Sequence, residues 1–166
     1  MEAVEDIKKE LMAELEKVKL EIQANMQAGG VNASGRTSKS LKVVPYESGV
    51  RLISDGTGAP FSTIEAGRKP GKVPYNFVDI IFQWSKNKGI PFADDRERRR
   101  FAGAVVWGPR SIRNEGFGRE EGVQKRHLPY GNTRNDIYSL AVQKLKSRLL
   151  KKYGDKVHIV ISIKTH

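Results

Sequence analysis

Apolar residues recur every three or four positions at the start of the chain: Val4, Ile7, Leu11, Leu15, Val18 and Ile22. That spacing predicts an amphipathic helix over residues 3–27. Its polar face carries Glu5 and Lys9 one turn apart, with Glu10 and Lys17 nearby, so opposite charges can pair along it. Gly29 and Gly30 end it. The stripe is narrow and close to heptad spacing, which suits packing on another subunit as well as on its own domain.

The period then changes. Residues 29–38 are rich in Gly, Ser and Asn and predict a flexible polar connection. Two short runs, 41–46 and 50–54, flank Glu47, Ser48 and Gly49, which is a β-hairpin by composition and turn chemistry. Pro45 cannot donate to a ladder and belongs at an edge or a bulge. The loop after it, Asp55-Gly56-Thr57-Gly58-Ala59-Pro60, has a phosphate-cradle look. It lacks the Lys-Ser/Thr of a P-loop, and no helix follows directly.

The stretch from Ser62 to Ile90 starts extended, ends that segment at Glu65, and passes through a basic Gly/Pro turn, Gly67 to Pro74. It reads as a surface loop held between two packed elements. Phe77, Val78, Ile80, Ile81, Phe82 and Trp84 predict a largely buried helix over 75–87, with Lys86 and Lys88 at its C-terminal end, Gly89 as its stop and Pro91 beyond. Asp94 is the expected N-cap of a helix running to Trp107. Its first turns hold Arg96, Arg98, Arg99 and Arg100, where the helix dipole disfavours cations, so an acidic group in this chain or another is expected nearby. Gly108-Pro109 should break that helix, which resumes over Ile112–Glu115.

Residues 116–132 form a long loop with four glycines, Arg119, Lys125, Arg126 and His127. Asn132 or Thr133 caps a helix over 134–153, with Ile137, Leu140, Ala141, Leu145 and Leu149 as its apolar stripe and Lys144, Lys146, Arg148, Lys151 and Lys152 making it basic. Gly154 stops it. Val157, Ile159, Ile161 and Ile163 then alternate with His158, Val160, Ser162 and Lys164 as a half-buried strand over 157–163. The expected class is α+β: one domain over 1–166, with an antiparallel sheet of the 41–54 hairpin and the C-terminal strand packed against about four helices.

Charge adds an asymmetry. The chain carries a net +11. Residues 1–28 hold seven acids and four lysines, a balance of −3, which leaves +14 on the rest. A basic body points to a polyanion or an acidic protein partner, or simply to a solubilising surface. No cysteine is present, so disulfides and thiolate metal sites are excluded. No run is long and apolar enough for a membrane helix, and the charged N-terminus is not that of a signal peptide; the lack of cysteine is compatible with a reducing cytoplasm.

The chemistry of catalysis is not evident. There is no cysteine nucleophile and no serine in a Gly-x-Ser-x-Gly setting. Asp79, Asp94, Asp95 and Glu97, with Glu120 and Glu121, are the clustered acids of the basic body, and they lack a metal-nuclease spacing beside a strand. His127 has no second ligand near it in sequence. No cofactor or metal is expected, and a nucleic-acid module or a metal-dependent nuclease working through Asp79, Asp94 or Asp95 stand as alternatives to a structural role.

Several segments together carry a resemblance. Gly35-Arg36-Thr37-Ser38-Lys39-Ser40-Leu41-Lys42-Val43 follows the long helix and resembles the Gly-x-Leu-x-x-Ser-Ile lead-in to the first strand of tail-completion (neck) proteins of tailed bacteriophages, with Thr37 where the pattern has leucine. Thr63-Ile64-Glu65-Ala66-Gly67-Arg68-Lys69-Pro70-Gly71 is similar to that family's strand ending in Glu-x-Gly before a Pro-containing loop. Ile80 to Ile90 resembles its Ile-x-x-Trp-x-x-x-Lys-Gly-Ile segment, and Phe101-Ala102 and Ile112 to Gly116 its later helical motifs. The resemblance implies a virion structural protein without enzymatic activity, forming a six-fold or twelve-fold homo-oligomeric ring at the head–tail junction. Its implied neighbours are portal or adaptor proteins and tail-terminator or tail-tube proteins, with DNA passing through the ring and touching it transiently. On that reading Glu65, Gly67, Arg68, Lys69, Lys72, Arg119, Lys125 and Arg126 are interface candidates, and Lys144, Arg148, Lys151 and Lys152 are candidates for DNA or acidic partners.

Overall fold

The computed structural model describes residues 2–29, 32–47, 49–55, 68–116 and 137–154. The class is α+β: among the described residues there are helices and one two-stranded antiparallel sheet, with a long helix first. The chain divides into two compact units, Met1–Ser62 with Asp136–His166, and Thr63–Asn135.

In the first unit, α1 (Glu2–Ala28) is the element on which the others pack. Its buried residues are Val18, Ile22 and Met26, a strict four-residue spacing, while Ile7, Leu11 and Leu15 are only half-buried. Burial therefore concentrates in the second half of the helix. Each such side chain contributes about 1.5–3 kcal/mol. The expected polar connection is partly structured: Gly35 takes φ 76°, a value that favours glycine, and opens a single helical turn, α2 (Arg36–Lys39). Ser40 explains why. Its hydroxyl donates to Thr37 O (2.7 Å), leaving the Ser54 hydroxyl to donate to it at 2.8 Å. The turn is thereby tied to the end of the hairpin, and Asp55 N donates to Ser40 O at 3.0 Å.

The hairpin pairs β1 (Leu41–Tyr46) with β2 (Gly49–Ser54), from Leu41 opposite Ser54 to Tyr46 opposite Gly49. Tyr46 and Gly49 are the last paired residues, so Gly49 belongs to the strand. Leu41, Val43, Val50, Leu52 and Ser54 are buried or half-buried, whereas Lys42, Tyr46, Arg51 and Ile53 are exposed. Pro45 sits opposite Val50, next to the turn. The expected C-terminal strand, 157–163, lies outside the described residues.

The last helix among the described residues, α6 (Ser139–Tyr153), buries Ala141, Leu145 and Leu149. Its start differs from the expected 134: residues 137 and 138 are not helical. Ile137 is buried ahead of the helix, and its carbonyl accepts from Asn25 Nδ2 at 3.1 Å. Leu140 does not join the stripe and is exposed. A helix beginning at 139 repeats its inward face through 141, 145 and 149, which points 140 away.

The second unit holds α3 (Phe77–Asn87), α4 (Asp95–Trp107) and the single turn α5 (Ile112–Glu115). Its core is Val73, Val105, Val106 and Ile112, with Phe77, Val78, Ile81 and Phe101 packed against it. Helix α3 is not largely buried as its composition suggested. Phe82 and Ser85 are buried, but Ile80 and Gln83 are exposed, because α3 packs on α4 along one side. Asp94 caps α4 as expected, its carboxylate accepting from Glu97 N at 2.7 Å while Glu97 Oε2 accepts from Ala93 N at 2.7 Å. The helix ends at Gly108, where a Cβ would lie 2.5 Å from Ala104 O, and α5 follows Pro109.

Candidate functional site

In the second unit the basic turn is rigidly seated. Val73 enters the core, Gly71 N donates to Arg113 O at 2.8 Å, and Phe77 N donates to Pro74 O at 3.1 Å. Gly116 closes the seat. Its φ is 75°, and a Cβ there would lie 2.3 Å from Arg68 O and 2.9 Å from Pro70 N, so only glycine lets the two segments touch. Arg68 belongs to the seat as well. Its guanidinium donates to Lys72 O and lies 5.6 Å from the centre of the Phe77 ring. What the turn shows to solvent is Lys69, Lys72 and Tyr75, the last fully exposed. Of the other interface candidates, Glu65, Gly67, Arg119, Lys125 and Arg126 lie outside the described residues, as do the 116–132 loop beyond Gly116 and His127.

The arginines of α4 divide into two sets. Arg99 Nη1 donates to Asp79 Oδ1 at 2.9 Å, with its guanidinium 5.0 Å from the centre of the Phe82 ring. Arg98 lies beside Asp95 (3.7 Å), stacks on Phe92 and donates to Ile90 O at 3.1 Å. Asp95 and Asp79 thus offset two of the four arginines from within the same chain. Arg96 and Arg100 are exposed and make no ion pair among the described residues. Trp107, 42% exposed, lies 5.8 Å from the Arg113 guanidinium. Lys88 is half-buried, and burial pushes its ammonium below the usual range. Nothing in the residue pattern signalled the full exposure of Tyr75, because an aromatic before a helix reads equally as core.

In the first unit the basic helix meets acids of α1. Lys144 pairs with Glu21 (3.1 Å), Arg148 with Glu14 (3.4 Å) and Lys152 with Glu10, while the Tyr153 hydroxyl also donates to Glu10. The positions rise along α6 as they fall along α1, so the helices run antiparallel. Hydrogen bonding from Lys17, with the charges of Lys17 and Arg148 added, holds the Glu14 carboxyl below its ordinary value despite an opposing effect of burial. Lys151, the fourth of that set, is exposed and makes no ion pair among the described residues.

The carboxylates weighed for a nuclease are occupied otherwise. Asp79 and Asp95 are in ion pairs, Asp94 is a cap and Glu97 holds the backbone ahead of it. Among the described residues no group of three or more His, Asp or Glu is placed to hold a metal ion, and no helix is long and apolar enough to cross a membrane. No protein-family model, curated protein or solved structure matches the chain.

Proposed function

We propose that this protein is a structural component of a tailed-phage virion. It assembles as a homo-oligomeric ring in the neck, at the junction between the portal or its adaptor and the tail, and the genome passes through the opening. The carrying observation is the turn at 68–75, fixed by Val73, Gly71 and Gly116 and displaying Lys69, Lys72 and a fully exposed Tyr75. A turn held this firmly is pre-organised, so little ordering entropy opposes its docking. An exposed tyrosine among cations is the kind of side chain that anchors interfaces. A ring also needs two unlike patches per subunit, and the seated turn would supply one of them. The sequence resemblance to neck proteins supplies the place in the particle.

Light scattering on the purified chain, with and without a short duplex at low and high salt, tests this reading. The expected result is a ring that ignores DNA. Replacing Lys69 and Lys72 with Glu should weaken assembly or particle incorporation while leaving the fold intact, since both side chains are exposed. A monomer that binds duplex tightly with a steep salt dependence would replace the reading with that of a nucleic-acid module.

A further inference from the structure

With the internal ion pairs assigned, one face of the second unit keeps its cations. Arg96, Arg100, Gly103 and Trp107 recur at helical spacing and form one row on α4, away from the buried Ala102, Val105 and Val106. Arg96 and Arg100 are exposed, make no ion pair among the described residues, and stand about 6 Å apart along the helix axis. Gly103 has open space where a Cβ would stand, and the neighbouring Ala104 is small and exposed. A gap therefore separates Arg100 from the half-exposed indole of Trp107. Beyond it Arg113 is exposed, its guanidinium 5.8 Å from the centre of that ring, and Arg110 is exposed in the link between α4 and α5.

The acids of this unit do not neutralise the row. Asp79 is taken by Arg99, and Asp95 by Lys86 and Arg98. Asp94 caps the helix, Glu97 lies on the flank with its carboxylate on Ala93 N, and Glu115 is half-buried. Residues 68–116 hold eleven bases and five acids, a balance of +6.

We infer that the Arg96–Arg100–Trp107–Arg113 row binds single-stranded nucleic acid without sequence preference. Backbone phosphates lie on the guanidinium groups, and one base enters the gap at Gly103 and stacks on the indole. Arginine meets a phosphate with parallel N–H donors, and every base has a π-face, so neither contact reads sequence. The interval between Arg96 and Arg100 is close to that between successive phosphates of an extended strand. In a duplex the bases are stacked on one another, which leaves phosphate contact alone. An acidic chain such as oligoglutamate has carboxylates for the arginines and nothing for the ring. The inference goes beyond the ring-forming reading and does not depend on it, because a ring that fails to retain duplex keeps this face for a single strand.

Fluorescence anisotropy of a dye-labelled oligothymidylate about 16 nucleotides long, titrated with the full chain, tests this contact. Duplex and oligoglutamate of matched charge serve as competitors. The single strand should bind more tightly than either, and more weakly as salt rises. Arg96→Ala with Arg100→Ala should flatten the plot of log K against log salt by about 1.4, two phosphate contacts at about 0.7 each. Trp107→Leu should weaken binding about fivefold or more with little change in that slope, and Trp107→Phe should keep most of the affinity. In a Trp84→Phe chain the remaining tryptophan is Trp107, and its emission should be quenched by the stacked base, which reads the stack without altering the face. Lys146→Gln with Lys151→Gln removes two exposed cations of α6 that make no ion pair among the described residues, and should change little. An equal loss in that lysine pair would assign the binding to diffuse positive charge. Unquenched Trp107 emission, or duplex competing as well as the single strand, would remove the base contact. Displacement by oligoglutamate at equal concentration would make the face a site for an acidic protein. Any of these results, or no binding at low salt, overturns the inference and leaves the ring-forming reading to the light-scattering measurement.

Discussion

Gly116→Ala is the sharpest test of how the basic turn is held. Gly116 has φ 75° and ψ −163°, a region open almost only to glycine, which costs another residue about 1–3 kcal/mol. The new methyl would also meet the Arg68 carbonyl oxygen at 2.3 Å and the Lys69 carbonyl carbon at 3.0 Å. Those are backbone atoms and cannot rotate aside. Relief requires the 68–70 segment to move, and the Gly71–Arg113 hydrogen bond goes with it, about 0.5–1.5 kcal/mol more. The expected loss is about 2–4 kcal/mol in the second unit, or a fall of about 1–2 M in the urea midpoint. Gly89→Ala is the control. Gly89 also has positive φ (66°) but nothing within 4 Å of an added Cβ, so its cost should stay near 1 kcal/mol. Both tryptophans of the chain, Trp84 and Trp107, lie in this unit, so their fluorescence follows its unfolding selectively. Equal midpoints for the two variants, with the Gly71 amide still protected from exchange in Gly116→Ala, would refute the proposed seat.

Two further outcomes concern the first unit. Met26→Ala should destabilise it by about 2–5 kcal/mol, and Leu20→Ala by no more than about 0.5 kcal/mol, read by circular dichroism during unfolding. Equal effects would mean that α1 packs on a different face. Glu14 has its carboxyl held below the ordinary value of 4.5, so its ionised form stabilises the fold above that value and the contribution fades as pH falls through the lowered one. Glu14→Gln should therefore be less stable than wild type near neutral pH and converge with it in acid. A gap that persists in acid would assign the effect to packing.

The sequence made some of this architecture plain and hid the rest for identifiable reasons. The hairpin followed from composition and turn chemistry, and the start of α4 from a single aspartate, because a turn and a cap are local signals. The break at Gly108-Pro109 was equally local. Met26 continues the spacing of Val18 and Ile22, but a flexible methionine near a helix end is a weaker core signal than a branched aliphatic. Helix α2 depends on Ser40 reaching Ser54 across the hairpin, a contact no window of sequence contains. The same limit applies to the site. Lys69 and Lys72 stood out as charges, but the role of Arg68 in the seat depends on Lys72 O and Phe77, and Arg96 and Arg100 differ from Arg98 and Arg99 only in what lies opposite each. The pairing of α6 lysines with α1 glutamates joins positions as far apart as 10 and 152, which charge totals alone only hinted at.

That pairing bears on the order in which the molecule is made. The first unit draws on both ends of the chain, Met1–Ser62 and Asp136–His166, while the second is continuous. During synthesis, α1 and the hairpin emerge first and have no partner for the Glu10–Glu21 face until α6 leaves the ribosome. The described helices of the second unit, which end at Glu115, are made before α6, which starts at Ser139. The second is the unit able to mature while translation continues, and the first closes only as α6 arrives. In a nascent chain the seated turn and its Gly116 contact are thus complete before Glu10 and Glu21 of α1 meet their bases on α6.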